Sequence, residues 1–333
     1  MTLPPVPSPL RGEGDQAHAI SLRGLTRSFR DVVAVDGLSF DVAPGELFGL
    51  VGPDGAGKTT TLRMLAGVLK PTGGEAVVGG VSVTADPEGV KHRVAYMSQR
   101  FGLYTDLTVR ENIEFYADLY RVPHADRPAR LARLYRFSSL GAFEQRLAGQ
   151  LSGGMKQKLS LCCALIHQPE ILLLDEPTFG VDPISRRDLW LILHEMVAQG
   201  VTVFVSTAYM DEAERCDHVA LLDGGRVVAL DRPTALQHTL AGRIVGLRAP
   251  NTRQALAALE RIPGVRRAVL FGDTIHVTLT AADHAGSAIR AALAAEGITV
   301  TEAHQVEPSL EDVFMERVGS SAPPAPAGER GRG

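Results

Sequence analysis

The chain has 333 residues, 45% of them apolar, with 38 acidic and 34 basic side chains and a formal net charge of −4. That length suits two domains with separate cores, and the acidic balance excludes bulk nucleic-acid binding through a basic face. Cys162, Cys163 and Cys216 show neither metal-ligand nor disulfide spacing and fit buried thiols in a reducing compartment, while no window approaches ~18 consecutive apolar residues, so no spanning helix is expected.

Residues 1–18 and 319–333 are rich in Pro, Gly and Ala and read as disordered tails. Order begins with an alternating strand at Ala19–Leu25, and Val32–Val42 follows as a second, antiparallel run. Leu47–Val51 reads as a buried strand and Leu62–Ala66 as a helix. Between them lies Gly52-Pro53-Asp54-Gly55-Ala56-Gly57-Lys58-Thr59-Thr60, the pattern G-x-x-x-x-G-K-T in its required strand–loop–helix setting. Its glycines let backbone N–H groups converge into an anion nest at a helix N-terminus. Lys58 is expected on the outer phosphates and the Thr59 hydroxyl on Mg²⁺.

Ala76–Val83 predicts a hairpin and Val94–Gln99 a further strand. From about Leu107 to His167 the period turns helical, with pieces at Thr108–Tyr120, Ala125–Phe137, Leu140–Arg146 and Gly154–His167. Within this stretch Leu151-Ser152-Gly153-Gly154-Met155-Lys156-Gln157 places an N-cap serine and exposed backbone amides at a helix start. That makes a second anion cradle, too far along the chain to belong to the first loop by local geometry. Ile171-Leu172-Leu173-Leu174 then leads into Asp175-Glu176 at a strand end, where open α/β sheets place ligands. Asp175 stands where a P-loop enzyme holds its metal carboxylate, and Glu176 can accept a proton from an attacking water.

A helix over Ile184–Ala198, a strand over Val201–Ser206 and a short helix over Met210–Arg215 come next. A hairpin joins Val219–Leu222 to Val227–Leu230, and a helix over Pro233–Ala241 closes the first domain. Beyond it the order is strand Arg243–Arg248, helix Thr252–Arg261, strands Val265–Phe271 and Thr274–Leu279, helix Ala282–Glu296 and strand Ile298–Val306. This β-α-β-β-α-β order is that of a ferredoxin-like unit. Ser309 with Asp312 resembles a capped start for a last helix over Val313–Val318. His276, His284 and His304 are scattered, and no titratable cluster in 243–318 marks a site.

These residues together resemble the nucleotide-binding subunit of ATP-binding cassette (ABC) transporters, over about residues 19–240. The phosphate loop resembles the family's Walker A, Leu151–Gln157 its signature motif and Ile171–Glu176 its Walker B. Gln99 falls at the Q-loop position, Gly180-Val181-Asp182-Pro183 at the D-loop and Phe29 at the adenine-stacking position. The resemblance implies an α/β P-loop NTPase cassette with a RecA-like core, an antiparallel β lead-in and a helical subdomain at about 100–168. It implies domains at 19–241 and 242–318, the second a small α+β ferredoxin-like unit.

The resemblance further implies an ATPase that uses ATP and Mg²⁺, with Glu176, Gln99 and Lys58 catalytic and Thr59, Gln99 and Asp175 toward the metal. Nucleotide contacts fall to Phe29, residues 52–60, Ser152, Gly153 and Gly154. Implied partners are membrane-spanning permease subunits and a second cassette, with no nucleic acid, at the cytoplasmic face of the inner membrane. The tail domain, Phe101-Gly102-Leu103-Tyr104 and Thr207–Glu214 resemble ABC-2-type multidrug exporters, the last most closely the first cassette of tandem exporter ATPases. One departure stands out: Ala208 occupies the switch-histidine position, and a methyl group cannot donate to a γ-phosphate. Asp54, where the family usually has Asn, sets an extra carboxylate beside the phosphate loop. A catalytically impaired cassette of a heterodimer and a non-transport ABC ATPase are the alternatives. Against the second, the chain holds one cassette and no sustained heptads.

Overall fold

The computed structural model describes residues 18–99, 102–281 and 285–321. Phe101, His284 and most of both predicted tails therefore lie outside the described residues. In chain order the first elements are β1 (Ile20–Phe29), β2 (Val32–Val42), β3 (Leu47–Val51) and α1 (Lys58–Leu65). Next come β4 (Gly73–Val78), β5 (Val81–Ser82), α2 (Pro87–Arg93), β6 (Val94–Met97), α3 (Val109–Leu119), α4 (Arg127–Ser138) and α5 (Gly153–Leu165). They are followed by β7 (Ile171–Asp175), α6 (Pro183–Ala198), β8 (Thr202–Thr207), α7 (Met210–Ala213), β9 (His218–Asp223), β10 (Arg226–Asp231) and α8 (Pro233–His238). The last are β11 (Ile244–Arg248), α9 (Thr252–Leu259), β12 (Val265–Phe271), β13 (Thr274–Leu279), α10 (Ala285–Ala295), β14 (Glu302–Gln305) and α11 (Leu310–Ser321). By contacts the described residues divide into two units, one within Met1–Leu47 and Thr59–Val205, the other within Phe48–Lys58 and Ser206–Gly333.

The first unit opens with an antiparallel sheet in the order β2-β1-β4-β5. Ile20 is paired with Val42 on one side and Val78 on the other, and all three are fully buried. β6 and β7 run parallel, in register from Val94↔Ile171 to Met97↔Leu174. All five residues of β7 are buried, as its unbroken aliphatic run requires of a strand covered on both faces.

Helix α3 begins at a full capping box, Thr108 with Glu111. Buried Asn112 satisfies its amide on the carbonyls of Tyr104, Leu107 and Thr108. The predicted helix at Leu140–Arg146 is instead a single 3₁₀ turn, Gly141–Phe143. The carbonyls of Glu144 and Arg146 accept from the amides of Arg110 and Val109, so the end of this segment caps α3 and its own bonds stay of the short i→i+3 kind. α2 was not foreseen. It starts at Asp86, whose carboxylate accepts from Gly89 N, with Pro87 in the first turn.

In the second unit β3 runs parallel to β9, Phe48↔His218 through Val51↔Leu221, and β9 forms a hairpin with β10. A separate antiparallel sheet has the order β12-β13-β11-β14. Numbered within its own β-α-β-β-α-β series and read from the far edge, that is 4-1-3-2, the ferredoxin-like arrangement. Its core joins Leu247, Ile275 and Val277 of the strands to Ala255 and Leu259 of α9 and Ile289 and Leu293 of α10. The last strand is shorter than predicted, since Ile298 N bonds back to Leu293 O and finishes the α10 turn. α11 packs against α7, α8 and β10. Its start is fixed by Ser309 and Asp312, whose side chains each accept from the other's backbone amide.

Candidate nucleotide site

In the second unit the loop after β3 is closed by its own backbone, with Ala56 N bonded to Pro53 O. Gly52 permits an approach no side chain could: a Cβ there would stand 2.2 Å from Leu222 O. Gly55 and Gly57 have φ of 82° and 100°, the left-handed conformation that glycine adopts without penalty. Lys58, only 4% exposed, donates its ammonium to the carbonyls of Gly52 at 2.7 Å and Pro53 at 3.1 Å. The loop thus curls around the lysine head, while Pro53, Asp54 and Gly55 face solvent. Ala208 and Tyr209, just beyond β8, are also exposed.

The first unit holds the acidic part. The Thr59 hydroxyl donates to Asp175 Oδ1 at 3.0 Å, and the Tyr96 hydroxyl to Asp175 Oδ2 at 3.4 Å. Burial, reinforced by the Asp175 charge, pushes the Tyr96 phenol up to about 12, so it remains a donor. Gln99 Nε2 donates to Glu176 Oε2 at 3.0 Å. Glu176 sits at φ 48°, a left-handed conformation uncommon for a side-chain-bearing residue. This breaks the strand's alternation and turns the chain into a tight loop, with Phe179 N bonded to Glu176 O.

Asp175 and Glu176 therefore each have a partner from the predicted set, Thr59 and Gln99. Tyr96 is the residue that sequence reasoning missed. Its only signal was its place near the end of β6, two residues before the polar Ser98-Gln99. The structure does not bring Ser152, Gly153 or Phe29 onto this group. Ser152 caps α5 by accepting from Met155 N at 3.3 Å, and it is exposed beside Gly153. Phe29 ends β1, 43% exposed, with the Arg27 guanidinium 4.5 Å above its ring.

The donor set bears on the metal expected here. Two adjacent ligands of an octahedral ion at 2.0–2.1 Å stand about 3 Å apart, which matches the Thr59–Asp175 separation of 3.0 Å. Among the described residues no cluster of three His, Cys, Asp or Glu could hold a metal unaided. Hard oxygen donors that leave most positions open suit Mg²⁺ shared with phosphate.

Comparison with known proteins agrees with this geometry. Residues 35–179 match the family described as ABC transporter, and residues 233–318 match the C-terminal domain of the DrrA1-3-like ATP-binding proteins. The chain is 44% identical over 307 residues to the probable multidrug ABC transporter ATP-binding protein YbhF of Escherichia coli (strain K12). That alignment takes in 91% of this chain but 52% of YbhF, so the chain spans about half that relative's length. It is 35% identical over 312 residues to the Nod factor export ATP-binding protein I of Rhizobium meliloti, covering 93% of this chain and 91% of the relative. A solved ATP-binding subunit of an ABC transporter superposes with a TM-score of 0.61 at 29% identity, over 66% of this chain and 92% of that one. The chain accordingly belongs to the ATP-binding subunits of ABC transporters and carries their P-loop NTPase cassette fold.

Proposed function

We propose that this protein binds ATP with Mg²⁺, hydrolyses it and so drives an ABC-type membrane exporter. The pairing of Asp175 with Thr59 and of Glu176 with Gln99 carries the reading, because it sets a metal carboxylate and a proton acceptor side by side at one strand end. In this assignment residues 52–60 and Lys58 cradle the phosphates, and Phe29 stacks on the adenine. Thr59, Asp175 and Gln99 would hold the metal, which would neutralise negative charge on the phosphates. Glu176 takes the proton of the attacking water. Ser152, Gly153 and Gly154 close on the nucleotide of a second cassette, which accounts for a capped helix start left open to solvent.

Residues 19–241 serve as the cassette, with the helical subdomain at about 100–168, and 242–318 as an appended ferredoxin-like support. Among the described residues no helix is long and apolar enough to cross a membrane. The work is placed at the cytoplasmic face of a membrane, docked on permease subunits. The names of the relatives, multidrug and Nod factor export, favour export of a drug-like or lipid-like substrate.

Ala208 supports a finer point. With no imidazole at the end of β8, the site that this chain lines turns over slowly, by roughly 10²-fold relative to a histidine-bearing one. A different, histidine-bearing cassette is then the natural partner. The test is phosphate release and ATP affinity for the purified protein, for Glu176→Gln and for Ala208→His, with and without candidate partner cassettes. Glu176→Gln is expected to keep ATP binding and lose roughly 10²- to 10⁴-fold in hydrolysis. Absence of ATP binding by the unmodified protein would overturn the whole reading. Fast turnover alone, unchanged by Ala208→His, would remove the heterodimer.

A further inference from the structure

A cavity of about 670 Å³ opens in the first unit, away from the candidate nucleotide residues. It lies at the N-terminal ends of β6 and β7, where Arg93, Glu170 and Ile171 line it. Asp175 and Gln99 stand at or beyond the other ends of the same strands. Four residues of extended rise separate Ile171 from Asp175, about 13 Å, so the cavity is not part of the nucleotide site.

One wall is a single face of α4. Arg130, Arg133, Leu134 and Phe137 all line the cavity at the spacing i, i+3, i+4, i+7, which puts two guanidinium groups and two apolar side chains on one stripe. Elsewhere in the lining stand Leu165, Ile171 and Met196, each nearly or fully buried. The volume is that of a site for a drug-sized molecule.

The charges in the cavity do not balance. Arg93 bonds Glu170 at a long 3.4 Å. Arg130 is held by Asp126 at 3.2 Å and by the carbonyl of Ile166 at 3.0 Å. Arg133, half-buried one turn away from Arg130, has no hydrogen-bond or ion-pair partner among the described residues. Three arginines therefore meet two carboxylates. A half-buried guanidinium beside a second one favours a bound anion, and its planar fork suits a carboxylate or phosphate head. A cation is disfavoured by the same charges, and a small inorganic anion would leave the apolar walls unfilled.

The geometry points to a second small-molecule site, for an amphipathic organic anion whose head lies on Arg133 and Arg130 and whose apolar body lies against Phe137, Leu134 and Met196. The occupant's chemistry is a single carboxylate or phosphate on a hydrocarbon or aromatic body.

Calorimetric titration of the full chain tests this, with dodecanoate kept below its micelle-forming concentration as the probe. Saturable binding at one site is expected, weakened tenfold to a hundredfold by Arg133→Ala, the loss of one charge-assisted contact. Arg133→Lys should keep part of the affinity, and ATP affinity should be unchanged in both variants. Should Arg133→Ala fail to fold, Arg133→Gln keeps the stem and takes its place. Inorganic phosphate and dodecyltrimethylammonium serve as the head without the body and the body with the wrong charge, and neither should saturate. Absence of saturable dodecanoate binding, equal binding by Arg133→Ala, or equal binding of either control probe would overturn the assignment. ATP affinity is read on the same samples, so failure here is distinguishable from failure of the nucleotide reading.

Discussion

Replacing Gly154 by alanine tests how the Ser152 helix is seated. An alanine Cβ at this position would stand 2.2 Å from Ser185 Oγ and 2.3 Å from Ser185 Cβ, with Asp182 Oδ2 at 3.4 Å. Ordinary contact begins near 3.4 Å, so the starts of α5 and α6 would have to part by about 1 Å. Four residues further along α5, Lys158 is pinned to Asp188 of α6 at 2.8 Å, which opposes that parting. Overpacking of this kind costs about 1–3 kcal/mol, offset by up to about 1 kcal/mol from alanine's better helix propensity. Gly154→Ala should therefore destabilise by about 1–2 kcal/mol, a melting shift of roughly 2–8 °C. Ser185→Gly removes both clashing atoms and leaves only the 3.4 Å contact. Alone it costs about 0.5 kcal/mol in helix propensity, yet in the double variant it should recover most of the loss. The non-additivity should be about 1–3 kcal/mol, read from thermal melts of the four proteins and, on the proposed role of the helix start, from ATPase rates that fall and return in step. Wild-type melting of Gly154→Ala, or strictly additive losses, would refute the steric argument.

Two further outcomes follow from buried groups. His167 stacks on Tyr120 with ring centroids 3.9 Å apart, and burial, aided by the Arg130 charge, brings its imidazole down to about 4. The unfolded chain binds that proton near 6.5. Stability is thus fully present above that value and declines as pH falls toward 4, by at most about 3 kcal/mol. His167→Phe, which keeps the stacking, should flatten urea midpoints across this window, and an unchanged slope would contradict the assignment. Asp312, nearly fully buried, holds the Ser309 amide and hydroxyl and lies 2.9 Å from His276 Nδ1. Asp312→Ala should cost about 1–3 kcal/mol by leaving buried groups without acceptors, and a urea midpoint equal to wild type would count against that role.

Elements whose pattern is uniform from end to end were the legible ones. β3 was placed to the residue and β7 to within one, because an apolar run covered on both faces has sharp ends in glycine or carboxylate. β12 and β13 were placed equally well because Gly272-Asp273 fixes the turn between two alternating runs. α2 escaped notice since only Val90 of its seven residues is buried, leaving no period to detect. Leu140–Arg146 misled for the opposite reason: its spacing is helical, but the carbonyls of Glu144 and Arg146 are committed to α3. In the candidate site, the kinds of residue could be read but their pairings could not. Gln99 meets Glu176 across 77 positions and Tyr96 meets Asp175 across 79, distances over which spacing carries no signal. The arginine-lined cavity was invisible for the same reason, its walls being drawn from well-separated segments.

The placement of α11 bears on how the chain can be divided. By sequence it belongs to the appended ferredoxin-like piece, and Glu316 bonds Arg266 at the start of β12. By packing it covers α7, the short helix just after Ala208, as well as α8. Its Leu310 and Val313 are almost fully buried, and the Leu310 amide shares Glu214 with Gln237. A truncation at the apparent boundary near residue 241 would therefore strip the cover from α7 and α8. An excised cassette should behave as a wounded protein, not as a free-standing module, unless α11 is grafted back onto it.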